Sequence, residues 1–189
     1  LERMDAADGG DGYLEVGGTA GHVGAHHLDA DDHTIPGLDA YIPGADTYSV
    51  ECGQAQYGDF LPVTGLHATL FYDKSNQRAD NEFSAAALQK MKGSVVLALR
   101  GGVHIGEKIK RCQAAGAKGL IVANVDPNGP HFDIRSKGPT PTATIPTLTV
   151  TTNAGKILAM AALKSKISVT MYHSYPTGHP FSESDGDAI

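Results

Sequence analysis

The chain has 189 residues, enough for one domain with a sizeable core and some trailing sequence. Its formal charge of −6, with no Lys/Arg cluster, argues against a nucleic-acid footprint. No apolar run approaches the roughly 20 residues of a membrane-spanning helix, which excludes direct membrane insertion by that route.

Residues 1–44 form a Gly-, Asp- and His-rich stretch with little periodicity, expected to be an irregular arm laid over the domain at "YLEV" and "AYIP". The first residues are polar and acidic, unlike a signal peptide. The opening "LER" reads as a cloning remnant, so the compartment is not legible from that end. Glycosylation sequons are absent. From about residue 45 to 173 the pattern sharpens into a domain. "TYSVE" (Thr47–Glu51) and "LHATLFY" (Leu66–Tyr72) alternate as strands do. "SAAALQKM" (Ser84–Met91) predicts a short helix with Ser84 at its head, ending near Lys92-Gly93. "SVVLALR" (Ser94–Arg100) is a continuous apolar run and predicts a buried strand.

After the glycines, Ile105, Ile109, Cys112 and Ala115 make one apolar stripe of an amphipathic helix, with Glu107 and Arg111 paired on the wet side. "GLIVAN" (Gly119–Asn124) follows as a second buried strand, completing a β-α-β unit. "DPNGP" (Asp126–Pro130) is a turn opening a long exposed loop through Thr142. "TIPTLTV" then predicts a strand, with Pro146 at its start or on a sheet edge. "TTNAGKILAMAALKS" predicts a helix capped by Thr151 or Thr152, and "KISVTMY" a closing strand. Residues 174–189 are polar and expected to be a flexible tail. Cys52 and Cys112 leave one bridge or two free thiols open, with free thiols preferred.

The segment "LRGGVHIGEKIKRC" looks at first like a phosphate cradle. A P-loop requires G-x-x-x-x-G-K-[ST]; Gly101 and Gly106 have that separation, but Glu107 follows, and Lys108 arrives one position late with no hydroxyl after it. The dinucleotide spacing G-x-G-x-x-G is absent as well. The glycines instead serve a fold: a buried strand must turn sharply into a helix packed on its own sheet, and Gly101 and Gly102 permit that backbone.

Arg100-Gly101-Gly102-Val103-His104-Ile105-Gly106-Glu107-Lys108-Ile109 resembles the R-G-x-C-x-F-x-x-K-V motif of the protease-associated (PA) domain family. "AQYGDFLP", "MKGSVVLALRG", "QAAGAKGLIVAN" and "IPTLTVTTNAGKILAM" resemble its flanking motifs in the same order, over about residues 46–172. Two positions depart: the motif's Cys is Val103 and its aromatic is Ile105, and the partner Cys is missing from "DKSNQRADNEFSAAALQK". The resemblance implies a mixed α/β (α+β) fold, a strand-rich open barrel or sandwich with two to three helices packed on it. It also implies a non-catalytic module that positions a peptide, cargo or adjacent domain, in a secretory, endomembrane-lumenal or extracellular setting. Members of the family sit beside subtilisin-like or zinc aminopeptidase domains, or in sorting receptors and membrane-bound ubiquitin ligases. In the sorting receptors the R-G turn lies at the peptide site, which points here to Arg100, Gly101, Gly102, Val103 and His104. A peptide there would be held by backbone bonds and by Arg100, with His131, Asp133 and Arg135 of the exposed loop folding over it.

Two rival functions are weighed on the residues. The arm concentrates His22, His26, His27, Asp29, Asp31, Asp32 and His33, donors suited to a divalent metal, although their spacing matches no fixed site. An EF-hand is excluded, since Ala7, Gly9 and Gly18 fall where ligating oxygens belong. No G-x-S-x-G, H-E-x-x-H or C-x-x-C motif marks an enzyme. The expectation is a module needing no cofactor, whose partner is a peptide or protein.

Overall fold

The computed structural model describes residues 35–55, 61–62, 64–134 and 144–174. Two strands made almost wholly of apolar residues organise it: β5 (Val95–Leu99) and β6 (Gly119–Ala123). A strand turns alternate residues to opposite faces, so an unbroken apolar run must be covered on both. Val95, Leu97, Ile121 and Ala123 enter one core, and Val96, Ala98, Leu120 and Val122 enter a second.

The helices supply that cover. α1 (Ala85–Met91) and α2 (Ile105–Ala114) send Met91, Ile109 and Cys112 into the second core. α3 (Thr152–Lys164) sends Ala154, Leu158 and Ala159 into the first. Ser84 and Thr151 cap α1 and α3, each hydroxyl accepting from the amide three residues on, at 3.2 and 3.1 Å. Both sequence expectations for these caps agree with the fold. The wet face of α2 differs from expectation: Glu107 pairs with Lys110 at 3.2 Å, while Arg111 donates to the Ala79 carbonyl at 3.3 Å.

The remaining strands are β1 (Ile35–Tyr41), β2 (Tyr48–Val50), β3 (Cys52–Gln54), β4 (Leu66–Tyr72), β7 (Thr147–Val150) and β8 (Ser168–Ser174). The eight-stranded sheet runs β2-β1-β8-β4-β5-β6-β7-β3, parallel from β4 to β7 and antiparallel elsewhere. Its two edges belong to one stretch of chain. β2 pairs with β1 at one side, β3 pairs with β7 at the other, and Glu51 alone separates them. A flat sheet cannot satisfy that connection, so the sheet rolls into an open barrel. Pro146 stands immediately before β7, where its missing N–H costs no ladder bond. The fold is the mixed α+β, strand-rich barrel with helices packed on it that the family resemblance implied, with three helices among the described residues.

One expectation is corrected. The irregular arm expected over residues 1–44 ends sooner: Ile35–Tyr41 is a strand paired along its length with β8 and flanked by β2. Pro36-Gly37 disguised it as a turn. Gly37 leaves room for the Tyr172 ring, which lies 2.3 Å from where a Cβ would stand. Pro36 pairs beyond the reach of β2, whose register covers only Leu38–Ala40.

Cys52 and Cys112 are unpaired, and burial pushes both thiols up to about 12, with Asp39 and Glu51 adding to the effect at Cys52 and Lys108 opposing it at Cys112. At pH 8 a thiol with that value holds about 10⁻⁴ of its population as thiolate, the only reactive form. Native protein at pH 8 is therefore expected to leave both thiols unmodified by a disulfide reagent over minutes, and denatured protein to react at both. Gly155 offers a second test. Helix propensity favours alanine by about 1 kcal/mol, but its Cβ would lie 2.3 Å from that of Ala123 on β6. Overpacking of that kind typically costs about 1–3 kcal/mol, so Gly155→Ala is expected to lower the urea midpoint.

Candidate functional site

β5 ends at Leu99, and Arg100 continues its ladder for one bond, donating to the Ala123 carbonyl at 2.9 Å. Gly101 (φ +93°) and Gly102 (φ +79°) then reverse the chain in a conformation that a side chain strains, and α2 begins three residues later. The backbone amides of Gly101 to His104 donate to no acceptor among the described residues, and the His104 side chain does not cap α2. The turn thus offers hydrogen-bond donors outward.

Beneath the turn lies Lys108, which stands at the lysine of the family motif and which the sequence also offered as a misplaced phosphate ligand. It is wholly buried, and its Nζ donates to the carbonyls of Gly101 (2.7 Å) and Arg78. Burial lowers its pKa from 10.5; Asp80 opposes that shift, while Arg78 and Arg111 add to it. The ammonium is consumed inside the protein, and a phosphate on the turn's outer side would not meet it.

A shallow concavity of about 350 Å³ opens on the turn, lined by Arg100, Gly101, Val103 and His104 together with Phe132 and Asp133. Four of the five residues expected at a peptide site therefore share one surface. Gly102 does not line it: it faces Asp80, whose carboxylate oxygen lies 2.3 Å from the position of a Cβ.

Arg100 is held by weak bonds. Its guanidinium lies 4.5 Å above the centre of the Phe132 ring, 3.7 Å from Asp126 and 3.5 Å from Asn124 Oδ1. With the two side chains 45% and 69% exposed, the ion pair stabilises by about 1 kcal/mol at most, and the ring contact by a similar amount. A ligand carbonyl or carboxylate competes with such bonds at small cost.

Phe132 is the partner that sequence reasoning missed, having placed it in an exposed loop. The described half of that loop is pinned instead. Thr149 Oγ1, on β7, donates to the Phe132 carbonyl at 2.7 Å and accepts from its amide at 3.3 Å. His131 lies 3.4 Å from Glu51, and Ile134 is buried and bridged to Ala55. Asn124 turns the chain out of β6, accepting from the Val125 amide and donating to the Pro130 carbonyl, both at 2.8 Å. A buried Asn ending an apolar strand just before "DPNG" was the available signal; nothing local marked Phe132 or Thr149.

His22, His26, His27, Asp29, Asp31, Asp32, His33 and Arg135 lie outside the described residues. Among the described residues no group of three or more His, Cys, Asp or Glu could hold a metal ion. A larger concavity, about 570 Å³, sits at the opposite end of β5 and is lined by Lys90, Lys92, Lys164 and Lys166. Lys90 and Lys164 occupy the last turns of α1 and α3, where cations offset the helix dipoles.

The turn can be tested directly. Gly102→Ala imposes a left-handed alanine, at roughly 1–2 kcal/mol, and drives a methyl into Asp80. Chemical denaturation is expected to show a loss of at least that size, whereas Val103→Ala, on a half-buried side chain, is expected to cost less.

A family model described as the PA domain matches residues 55–158, more than half of the chain. No curated protein sequence matches it. Among solved structures it is similar to a zinc aminopeptidase from Bacillus subtilis, with 21% identity and a TM-score of 0.52, covering 75% of this chain and 31% of that one. It is likewise similar to an aminopeptidase from Aneurinibacillus sp. strain AM-1, with 19% identity and a TM-score of 0.53, covering 75% of this chain and 33% of that one. At such identities the likeness is one of fold, and the chain spans about a third of the length of these proteins. The family match spans the arginine–glycine turn on which the sequence resemblance rested and covers more than half of the chain: the chain belongs to the PA domain family.

Proposed function

We propose that the chain is a non-catalytic accessory module of a peptidase, which positions a peptide or a neighbouring protein segment at the Arg100–His104 turn. The observation that carries this reading is the convergence of Arg100, Val103, His104 and Phe132 on one open surface beside amides that donate to nothing else among the described residues. Backbone N–H groups and a guanidinium suit peptide carbonyls or a carboxylate, and the faces of Phe132 and Val103 suit an apolar neighbour. The PA family match and the likeness in fold to parts of longer aminopeptidases support the accessory role. On this reading the ligand is protein rather than nucleic acid, consistent with the charge of −6, and no cofactor takes part.

A secretory, lumenal or extracellular setting accompanies the reading through the family. No helix among the described residues is long and apolar enough to cross a membrane.

The test is an amide-shift titration of ¹⁵N-labelled protein with a mixed library of short peptides. Shifts are expected at Arg100, Gly101, Val103, His104 and Phe132. Arg100→Ala is expected to weaken binding about tenfold, the worth of one charge-assisted bond, with stability lowered by no more than about 2 kcal/mol, the sum of its ring and ion-pair contacts. Shifts confined elsewhere, or an Arg100→Ala protein that binds as well as the parent, would overturn the reading. Zinc added in a parallel arm reports on His22, His26, His27, Asp29, Asp31 and His33. Perturbation confined to those residues would move the function to the N-terminal stretch.

A further inference from the structure

The feature that the proposed function leaves unused is the buried ammonium of Lys108. Among the described residues no carboxylate lies within ion-pair distance of it, although Asp80 is near enough to be felt. Its neighbours on the buried face of α2 are Ile109 and Cys112, so the helix pattern would accept an apolar residue there. An apolar chain of similar length would fill the space without desolvating a charge. The ammonium must therefore earn its place through its protons, which reach the Arg78 carbonyl, in the loop after β4, and the Gly101 carbonyl, in the turn after β5.

We propose that Lys108 is a positioning residue for the Arg100–His104 site, clamping the glycine turn to the Arg78 loop so that its amides and Arg100 are presented outward. The proposal rests on the reading of that turn as the peptide-binding surface. The geometry is direct. In a trans peptide the carbonyl and the following N–H point in opposite directions. Drawing the Gly101 carbonyl inward to Lys108 consequently turns the Gly102 N–H away from the core. Two consecutive glycines at positive φ have no side chains to hold them, and glycine has more backbone freedom to lose than any other residue. Lys108 replaces that missing restraint. The second anchor is well fixed: Gln77 accepts from the Leu99 amide at 2.8 Å, and Arg111, one turn along α2, donates to Ala79. The charged and titratable groups facing Lys108 are Asp80 and Arg78 from the loop and Arg111 and Cys112 from its own helix.

The experiment compares the 189-residue parent chain, Lys108→Met and Lys108→Arg by ¹⁵N relaxation and by titration with the same peptide library. In Lys108→Met the order parameters of Gly101, Gly102 and Val103 are expected to fall from about 0.85, the rigid range, to below about 0.6. Peptide affinity is expected to drop about fivefold or more as preorganisation is lost. The urea midpoint is expected to fall, because the Gly101 and Arg78 carbonyls lose their donor; loss of order confined to Gly101–Val103, with the sheet still rigid, is the readout that a purely global destabilisation would not produce. Lys108→Arg keeps donors for both carbonyls and is expected to retain the rigid turn; it decides the matter should the Met variant fail to fold. A rigid turn in Lys108→Met, or a loosened one in Lys108→Arg, would overturn the clamp. If the parent chain binds no peptide while Lys108→Met still loosens the turn, the clamp stands and the functional reading fails.

Discussion

Val95, Val96, Leu97 and Ala98 are buried on both faces of the sheet, and that double burial determines where the other elements must go. One face needs α1 and α2, the other needs α3, and the parallel pairing of β5 with β6 requires the chain to cross over through a helix between them. The turn at Arg100–His104 is a consequence of that crossing. It lies where a strand buried on both sides must leave the sheet and re-enter as a helix, and only glycine adopts the reversal without strain. The candidate site is thus placed by packing demands that concern no ligand.

Electrostatics then divides the basic residues of this region between two tasks. Lys108 and Arg111 point inward from α2 and satisfy carbonyls of the loop between β4 and α1 and, through Lys108, of the glycine turn after β5. Arg100 points outward, held by a ring, an exposed carboxylate and a long amide contact, none of which binds it firmly. A cation spent on buried carbonyls gives up its chance to meet a ligand, and one left in weak contacts keeps it. The same division explains why a segment with the look of a phosphate loop is not one: its lysine faces the wrong side of the backbone.

Much of the fold was legible because it is written locally. β5, β6 and α2 were readable from apolar runs and a helical stripe, α1 and α3 from their capping hydroxyls, and the start of β7 from Pro146. β1 was not, because Pro36-Gly37 has the local chemistry of a turn; it becomes a strand only when β8 supplies a ladder and Tyr172 covers the glycine. Of the residues lining the candidate concavity, Arg100, Gly101, Val103 and His104 were singled out in the sequence through the family resemblance. Phe132 was not, since its place depends on Thr149, 17 residues away.

The sequence by itself determined the elements other than β1, the glycine turn and the family to which they point, because periodicity, caps and turn residues act over a few neighbours. The tertiary structure alone decided the roll of the sheet about Glu51, the fate of Lys108, the turning of Gly102 toward Asp80, and the seating of Phe132 beside Arg100. Each of these depends on groups far apart in the chain, as Lys108 and Arg78 are by 30 residues. Such pairs meet only after the buried strands have fixed what lies above and below them.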